Sequence, residues 1–383
     1  MHVKTAAGLL VIGTLGIGLT ACGASDGSGA AASSPQGIQA GQGTAKARAI
    51  TAADAAVKRL GTAELPAVTV GLNQIVGAAE PAQRAQNALE RAARVLGWKV
   101  IVCDAQGDPT KMANCETSLL NQGVKALFSI GEESSVIAAG LRQAKARGIP
   151  TFNFGGQVTP SPLFTGNYGP DEAKAGRVLG AWIARKLQAI GGGQIIRSTY
   201  PAIYSTRRDS GLLAEVKADP GLKLPATTTI DAANMVAGTR QQVTSMLTQH
   251  PEAKVYWSSF EASIQPAAQA VATVAKGRRF PQAPLVVTFH ADLGTQQLIR
   301  QGLVDAVADN PYDASAWAAV DSAAEYLARH RANPSPGYTV AGFALYDYPI
   351  ITKEKLPPEG HYVTPANDFV TFFSEKWKRE FGR

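Results

Sequence analysis

The chain has 383 residues, of which 45% are hydrophobic and 17% charged, and its formal net charge at pH 7 is +7. This composition is typical of a globular protein long enough for two packed lobes. No basic run exceeds a few residues, and the aromatic residues are not interleaved with Lys or Arg. The charge therefore indicates a mildly basic, solvated surface and argues against nucleic acid as a partner.

The first 22 residues have the pattern of a bacterial export signal. A positive charge at Lys4 precedes an apolar run from Leu9 to Leu19, which is shorter than the ~20 residues of a membrane-spanning helix. The run ends in Leu19-Thr20-Ala21-Cys22, which resembles a lipobox. We therefore predict cleavage before Cys22, a diacylglycerol on its thiol, and an extracytoplasmic protein tethered to the cell membrane. A plain secretory signal with an incidental cysteine is the alternative.

These processed segments define the start of the domain organisation. We assign residues 1–21 to the signal peptide and residues 22–64 to the lipidated cysteine and a spacer. From residue 23 to about residue 49 the chain is mainly Gly, Ala, Ser, Gln and Thr, which leaves little apolar surface to bury. Such a composition favours a flexible spacer over a packed structure.

Two further cysteines, Cys103 and Cys115, follow in the body of the chain. Outside the cytoplasm the environment is oxidising, so we expect these two residues to form one disulfide. No histidine or second cysteine pair stands near them at the spacing of metal ligands, and we predict no metal site.

From Leu65 onward, short apolar strands alternate with amphipathic helices of 12 or more residues. This alternation predicts βαβ units and parallel sheets covered on both faces. The first set comprises strands at 68–72, 98–103, 124–130 and 149–154 and helices at 81–96, 109–121 and 134–147. After Tyr168 the pattern restarts, with helices at 170–190, 207–218, 239–250, 261–276 and 292–301 and strands at 194–198, 226–230, 254–258, 285–289 and 304–308. Two sheets of this size predict two lobes.

Short motifs recur at defined places in both halves of this pattern. In the first half they are Leu96-Gly97-Trp98, Gly107-Asp108-Pro109, Leu120 to Ala126, and Gly148-Ile149-Pro150. In the second half they are Ala175-Gly176-Arg177, Arg208 with Gly211-Leu212, and His250 to Tyr256. In order and spacing these motifs resemble the ribose-type periplasmic binding proteins, which are solute receptors of ABC importers. The resemblance covers residues 68–346.

The resemblance implies an α/β fold with two doubly wound parallel-sheet lobes joined by a three-strand hinge. Lobe one would comprise residues 65–166 and 310–344, and lobe two residues 167–309 and 345–383. The ligand would lie between the lobes, at the carboxyl ends of the strands, and the lobes would close on it by a hinge motion.

The segment 347–383 is longer than the usual ending of this family. It contains a predicted helix at 366–381 whose aromatic residues form one apolar face: Phe369, Phe372, Phe373 and Trp377. We expect this face to pack on lobe two.

The resemblance also implies positions for the ligand-binding residues. In lobe one these are Asn73, Gln74, Glu80 and Gly156; in lobe two they are Arg208, Trp257, Ser259, Phe260 and His290, with Asp309 at a crossover. Arg208 keeps the family residue, and its planar guanidinium is suited to holding two ligand oxygens. The alternative for Trp257 and Phe260 is a place in the core of lobe two, and for Arg208 a surface salt bridge.

Two departures from the family bear on the ligand. The loop after the first strand has no aromatic residue, and Gly155-Gly156 stands where the family commonly has an Asp-Arg pair. Sugar clefts use bidentate charged groups backed by aromatic stacking, so these departures leave two ligand classes open. We predict a sugar or polyol; the alternative is a bulkier, partly apolar or aromatic solute.

The implied partners are the permease and ATPase subunits of an ABC importer, with no cofactor and a monomeric receptor. A protein of the same fold can instead present its ligand to a membrane sensor, which is a second alternative. An enzyme is not expected, because no His-Glu-x-x-His motif, phosphate loop or structurally placed Gly-x-Ser-x-Gly motif is present.

The lipid anchor gives a first testable prediction. Replacement Cys22→Ser removes the thiol that accepts the lipid, and two or more acyl chains make a durable anchor. We expect the variant to move from the detergent fraction to the aqueous or medium fraction in phase partitioning. Unchanged partitioning of the variant would contradict lipidation at Cys22.

Overall fold

A computed structural model of the chain describes residues 61–310, 312–330, 339–340, 343–344, 347–365 and 368–383. The predicted signal peptide, Cys22 and nearly all of the spacer lie outside these residues. Among the helices in the described ranges, none has the length and apolar character needed to cross a bilayer.

Lobe one contains a five-stranded parallel sheet covered by helices on both faces. Its strands are β1 (Thr69–Gln74), β2 (Lys99–Asp104), β3 (Leu127–Ile130), β4 (Thr151–Phe154) and β5 (Gly166–Tyr168), in the order β2-β1-β3-β4-β5. Its first helices are α1 (Glu80–Val95), α2 (Pro109–Asn121) and α3 (Ala138–Ala146). The sheet order changes direction between β1 and β3, where the helices change face, so the carboxyl ends of these strands border a crevice.

Lobe two repeats this plan with five parallel strands. Its strands are β6 (Gly193–Thr199), β7 (Leu222–Thr229), β8 (Ala253–Ser258), β9 (Leu285–Phe289) and β10 (Ala306–Ala308), in the parallel order β10-β9-β8-β6-β7. Its helices are α4 (Glu172–Gln188), α5 (Ile203–Ala218), α6 (Met235–Gln249), α7 (Ile264–Ala275) and α8 (Leu293–Gln301). The prediction of two doubly wound parallel-sheet lobes is confirmed.

The remaining elements follow the second sheet. Helix α9 (Tyr312–Arg329) returns to lobe one and packs against α1 and the β4–β5 edge. Strands β11 (Thr339–Val340) and β12 (Phe343–Ala344) form a two-stranded antiparallel pair. Strand β13 (Ile350–Ile351) adds to lobe two, antiparallel to β10, and the last helix is α10 (Phe369–Phe381).

Several predicted elements have different boundaries in the structure, and two of these differences have local reasons. Strand β7 begins at Leu222 rather than at residue 226, and it includes Pro225. Proline is tolerated there because β7 is the edge strand, where one missing N–H breaks no ladder bond on the open side. Helix α3 begins at Ala138 rather than at Ser134, because residues 134–136 form a separate turn before it.

The C-terminal helix α10 packs on lobe one, so the prediction that it packs on lobe two is wrong. Trp377 of α10 stacks on Trp317 of α9, with ring centroids 5.2 Å apart and an interplanar angle of 4°. Phe369 meets the edge of the same Trp317 ring. The segment 345–383 is therefore divided: β13 belongs to lobe two and α10 to lobe one.

Buried charges specify this partner for α10. The ammonium of Lys376 lies 2.7 Å from carboxylate oxygens of both Asp321 and Glu325 on α9. The indole N–H of Trp377 donates to Asp321 at 2.8 Å. An unpaired buried charge is costly, so the aromatic face of α10 can be buried only where carboxylates pair with Lys376. These carboxylates lie on α9.

Cys103 at the end of β2 and Cys115 in α2 are joined in the structure, with their Cα atoms 5.5 Å apart. The bond ties the strand to the helix that immediately follows it. In the chain-entropy model, closing a loop of this size contributes roughly 3 kcal/mol.

Thiol titration of unfolded, unreduced mature protein tests this pairing. We expect no reactive thiol from Cys103 and Cys115 before reduction and two per chain after it, with Cys22→Ser as the background that removes the third cysteine. Two free thiols without reduction would contradict the disulfide.

Candidate functional site

A cavity of about 680 Å³ lies between the two lobes. It is bordered by residues that follow β1, β3 and β4 in lobe one and β6, β8 and β9 in lobe two. The carboxyl ends of both sheets thus face the same space, as open α/β sheets do at their ligand sites. The volume falls in the range of about 300–1,000 Å³ that holds small molecules.

The two walls of the cavity differ in chemistry. Lobe one contributes mainly apolar side chains, from the loop after β1, the first turn of α1, α2 and β3: Ile75, Val76, Pro81, Met112 and Ile130. Lobe two contributes aromatic, amide and charged side chains, among them Tyr200, Tyr204, Phe260, Glu261 and Gln265. A ligand with one apolar face and one polar edge would satisfy both walls.

Tyr200, Tyr204 and Phe260 form an aromatic shelf on the wall of lobe two. The rings of Tyr200 and Phe260 stack with centroids 4.4 Å apart at 19°, and Tyr204 lies 6.1 Å from Phe260. This shelf supplies aromatic surface that the loop after β1 lacks, but from the opposite lobe. Phe260 was predicted from the sequence and the two tyrosines were not, although Tyr200 directly follows β6 at the end of the sheet that faces the cleft.

Arg208 lies beside this shelf because α4 and α5 approach closely. A Cβ atom at Gly176 of α4 would clash with the carbonyl oxygen of Arg208, and one at Gly211 of α5 would clash with the backbone nitrogen of Arg177. The close approach brings Glu172 to Arg208, with Oε2 2.7 Å from Nε and Oε1 3.0 Å from Nη2. The motif glycines therefore permit a bidentate ion pair.

All five guanidinium hydrogens of Arg208 face acceptors of the protein. Two go to Glu172, and Nη1 donates to Glu261 Oε2 at 2.9 Å and to the carbonyl oxygen of Ser259 at 3.1 Å. The last is directed at His290 Nε2, 2.6 Å from Nη2. Burial opposes the charge, but Glu172 and Glu261 raise the pKa of Arg208, so it stays protonated. Arg208 lines the cavity, yet it has no free N–H for the predicted grip on ligand oxygens.

His290 contacts Arg208 from within lobe two and does not line the cavity. Its backbone adopts a left-handed conformation with φ of 59°, which turns the imidazole toward Arg208 and Tyr312. Burial and the charge of Arg208 lower the pKa of His290 well below its ordinary value, so the imidazole is neutral. Since a guanidinium only donates, Nε2 accepts and the proton lies on Nδ1.

The other predicted residues divide into two groups. Glu80, Gly156 and Phe260 line the cavity together with Arg208. Six predicted residues are buried within the lobes, and the structure does not bring them to the cavity wall: Asn73, Gln74, Trp257, Ser259, His290 and Asp309.

Each of these buried residues has a structural contact that accounts for its place. Asn73 donates to Glu116 at 3.1 Å and Gln74 to the carbonyl oxygen of Ala82 at 3.1 Å. The indole of Trp257 donates to Asp209 at 2.8 Å, inside the core of lobe two. Ser259 shares a hydroxyl contact with Ser205, and Asp309 accepts from the backbone N–H of Ala291 at 2.8 Å. Alternate strand residues point to opposite faces, and the sequence did not reveal which face borders the cleft.

Glu80 and Arg84 of α1 join the two lobes at the edge of the cavity. Glu80 accepts the backbone N–H groups of Leu293 at 2.5 Å and Gly294 at 3.0 Å, at the N-terminus of α8, where a carboxylate is favoured. Arg84 Nη1 lies 3.5 Å from Asp292 of lobe two. These contacts hold α1 of lobe one against α8 of lobe two.

Arg84 is the centre of an interlobe ion cluster, defined as Arg84 with Asp292, Asp309 and Asp313. Arg84 Nε lies 2.8 Å from Asp313, and its Nη1 lies 3.9 Å from Asp309 in the crossover after β10. The ring of Tyr362 covers the guanidinium, with its centroid 4.5 Å from Cζ. Arg84, and Glu172, Glu261 and Asp292 on the cavity wall, were not predicted from the sequence, because none of them lies at a ligand-binding position that the family resemblance implies.

The chain matches the family model described as "Periplasmic binding protein domain" over residues 78–331. The chain therefore belongs to this family of periplasmic binding proteins. Of the described residues, none forms a group of three or more His, Cys, Asp or Glu side chains arranged for a metal ion.

Curated relatives match in part. The chain is 33% identical over 99 residues to the ribose import binding protein RbsB of Bacillus subtilis. This segment is 26% of this chain and 32% of the relative. It is 24% identical over 218 residues to a xylitol-binding protein of Mycolicibacterium smegmatis. This second segment is 57% of this chain and 52% of that relative. The matched segments thus span about a third and about half of the two relatives.

Solved structures share the fold. An ABC transporter solute binding protein from Agrobacterium vitis with bound allitol superposes with a TM-score of 0.63 at 19% identity, covering 76% of this chain and 97% of that chain. One from Mycobacterium smegmatis with bound glycerol gives a TM-score of 0.64 at 19% identity, covering 78% and 100%.

Replacing Arg208 tests its place in the wall. Arg208→Ala leaves the buried carboxylate of Glu172 without its cation, and breaking such a pair typically costs about 3–5 kcal/mol. We expect the free energy of unfolding, measured in urea without ligand, to fall by about that amount. The control is Arg207→Ala, at an exposed position next to it on α5, which should lower the free energy of unfolding by less than about 0.5 kcal/mol. Equal unfolding midpoints for the two variants would show that the pair is not stabilising.

Proposed function

We propose that this protein is the extracytoplasmic solute receptor of an ABC importer and that it binds a sugar or polyol between its lobes. The observation that carries the proposal is the interlobe cavity at the carboxyl ends of both sheets, in a chain of the periplasmic binding protein family. The partly matched relatives are named for ribose and xylitol, and two structural neighbours hold allitol and glycerol.

The chemistry of the cavity supports a polyhydroxy ligand. The aromatic shelf offers a flat surface for the C–H face of a sugar or an extended polyol chain. Around it, Glu261, Gln265 and Gln297 offer carboxylate and amide groups to hydroxyls. The relatives favour this class over a bulkier aromatic solute and over the role of a receptor for a membrane sensor.

The lipid anchor and the partners belong to the same proposal. The lipobox-like sequence ending in Cys22 supports a protein held at the outer face of the cell membrane, close to the permease that receives the ligand. We propose that the receptor acts as a monomer. The permease and its ATPase would supply the energy and the path of transport. In this role the chain binds and releases its ligand without chemical change.

Thermal shift of the purified mature protein tests the ligand class. At 100 times its dissociation constant a ligand that binds only the folded state stabilises it by about 2.7 kcal/mol, which raises the melting temperature measurably. We expect such a shift with ribose, xylitol or allitol and none with aromatic acids.

Replacement of the shelf gives the matched variant. Phe260→Ala should weaken the dissociation constant measured by calorimetry by about tenfold, because a stacking surface is lost. Val236→Ala, at an exposed position of lobe two, should leave it unchanged. Shifts with aromatic acids alone, or a Phe260→Ala variant with wild-type affinity, would contradict the proposal.

A further inference from the structure

Arg208 contributes no net positive charge to the polar wall of the cavity. Its guanidinium is held from one side by both oxygens of Glu172, at 2.7 and 3.0 Å, so these two charges balance. Its remaining hydrogens face Glu261, Ser259 and His290. An anionic group of a ligand would therefore find no free N–H on this side chain.

Glu261 brings an uncompensated negative charge to the same wall. It stands in the short turn after β8 and lines the cavity, with 13% of its side chain exposed. Its Oε2 accepts from Arg208 Nη1 at 2.9 Å. Among the described residues, none forms a hydrogen bond with the other oxygen, Oε1. Arg208 thus fixes the orientation of a carboxylate that still has one acceptor available.

The rest of the wall does not reverse this charge. Of the described residues that line the cavity, Arg208 is the one with a cationic side chain, whereas Glu80, Glu172, Glu261 and Asp292 carry carboxyl groups. Glu80 is already engaged with the backbone of α8. A ligand carboxylate or phosphate would be desolvated beside Glu261 with no cation to receive it, and like-charge contacts of this kind reject a ligand strongly.

We infer that Glu261 is a specificity-determining residue, which accepts a hydroxyl of the ligand through Oε1 and excludes acidic sugars. The cavity then accepts neutral polyhydroxy compounds and rejects their aldonic or phosphorylated forms. This inference rests on the proposed function, because it names the charge class of the ligand in the same cavity.

Matched ligand pairs test the inference on the mature wild-type protein. Calorimetry at pH 7.5 would compare xylitol with xylonate and allitol with allonate, open-chain pairs that share a carbon skeleton and differ in the charge at one terminal carbon. We expect the neutral member to bind at least about a hundredfold more tightly than its acid. Equal affinities within a pair would overturn the inference and leave the proposed function intact. If no neutral member binds, the proposed function fails and the inference fails with it.

The isosteric change Glu261→Gln removes the charge and keeps the size of the side chain. We expect the dissociation constant of the neutral probe to rise by about tenfold, because a charge-assisted hydrogen bond becomes a neutral one. We also expect the ratio of the dissociation constants of the acidic and the neutral probe to fall by at least tenfold, because the repelling charge is removed. Glu252→Gln, at an exposed position before β8, is the control. A ratio in Glu261→Gln equal to that of the control would overturn the assignment, and the melting temperatures without ligand show whether both variants are folded.

Discussion

The arrangement of the two lobes depends on one buried cation, Arg84. Its guanidinium meets Asp313 at 2.8 Å in lobe one, Asp292 at 3.5 Å in lobe two and Asp309 at 3.9 Å in the crossover between them. Removing such a group from water is costly, and only the combined carboxylates of both lobes offset that cost. Burial lowers the pKa of Arg84, but the carboxylates of Asp313, Asp309 and Asp292 raise it above its ordinary value, so Arg84 stays protonated. The cavity exists in its present shape because α1 and α8 are held together around this charge.

A second buried guanidinium, Arg208, organises the polar wall of the cavity in the same way. The close contact of α4 and α5 at Gly176 and Gly211 places it against Glu172, and every remaining hydrogen is used by the protein. Arg208, which the sequence suggested as a direct ligand contact, is thus a fixed part of the cavity wall. We propose that it acts on the ligand indirectly, by orienting Glu261. Lobe two thus supplies the aromatic shelf and an oriented carboxylate, while lobe one supplies mainly aliphatic surface.

The C-terminal helix shows how buried charge selects among apolar contacts. Its aromatic face fits any apolar surface of sufficient size, but Lys376 fits only where carboxylates can surround it. Asp321 and Glu325 on α9 provide that place, so the chain crosses back to lobe one after β13 has joined lobe two. Desolvation is the physical reason, because a lysine buried without partners would cost more than the aromatic contacts contribute.

The order of strands and helices, the two lobes and the family were readable from the sequence, because periodicity and short motifs are local properties. Of the residues predicted to bind the ligand, Glu80, Gly156, Arg208 and Phe260 line the cavity, and their contacts with a ligand remain a prediction. The tertiary structure alone decided that Trp257 and His290 lie beneath the wall while Tyr200 and Glu261 form it. Which side of a strand end faces the cleft depends on how each sheet packs against its helices. Which charges are free depends on partners far apart in the chain, such as Arg84 with Asp309 or Glu172 with Arg208.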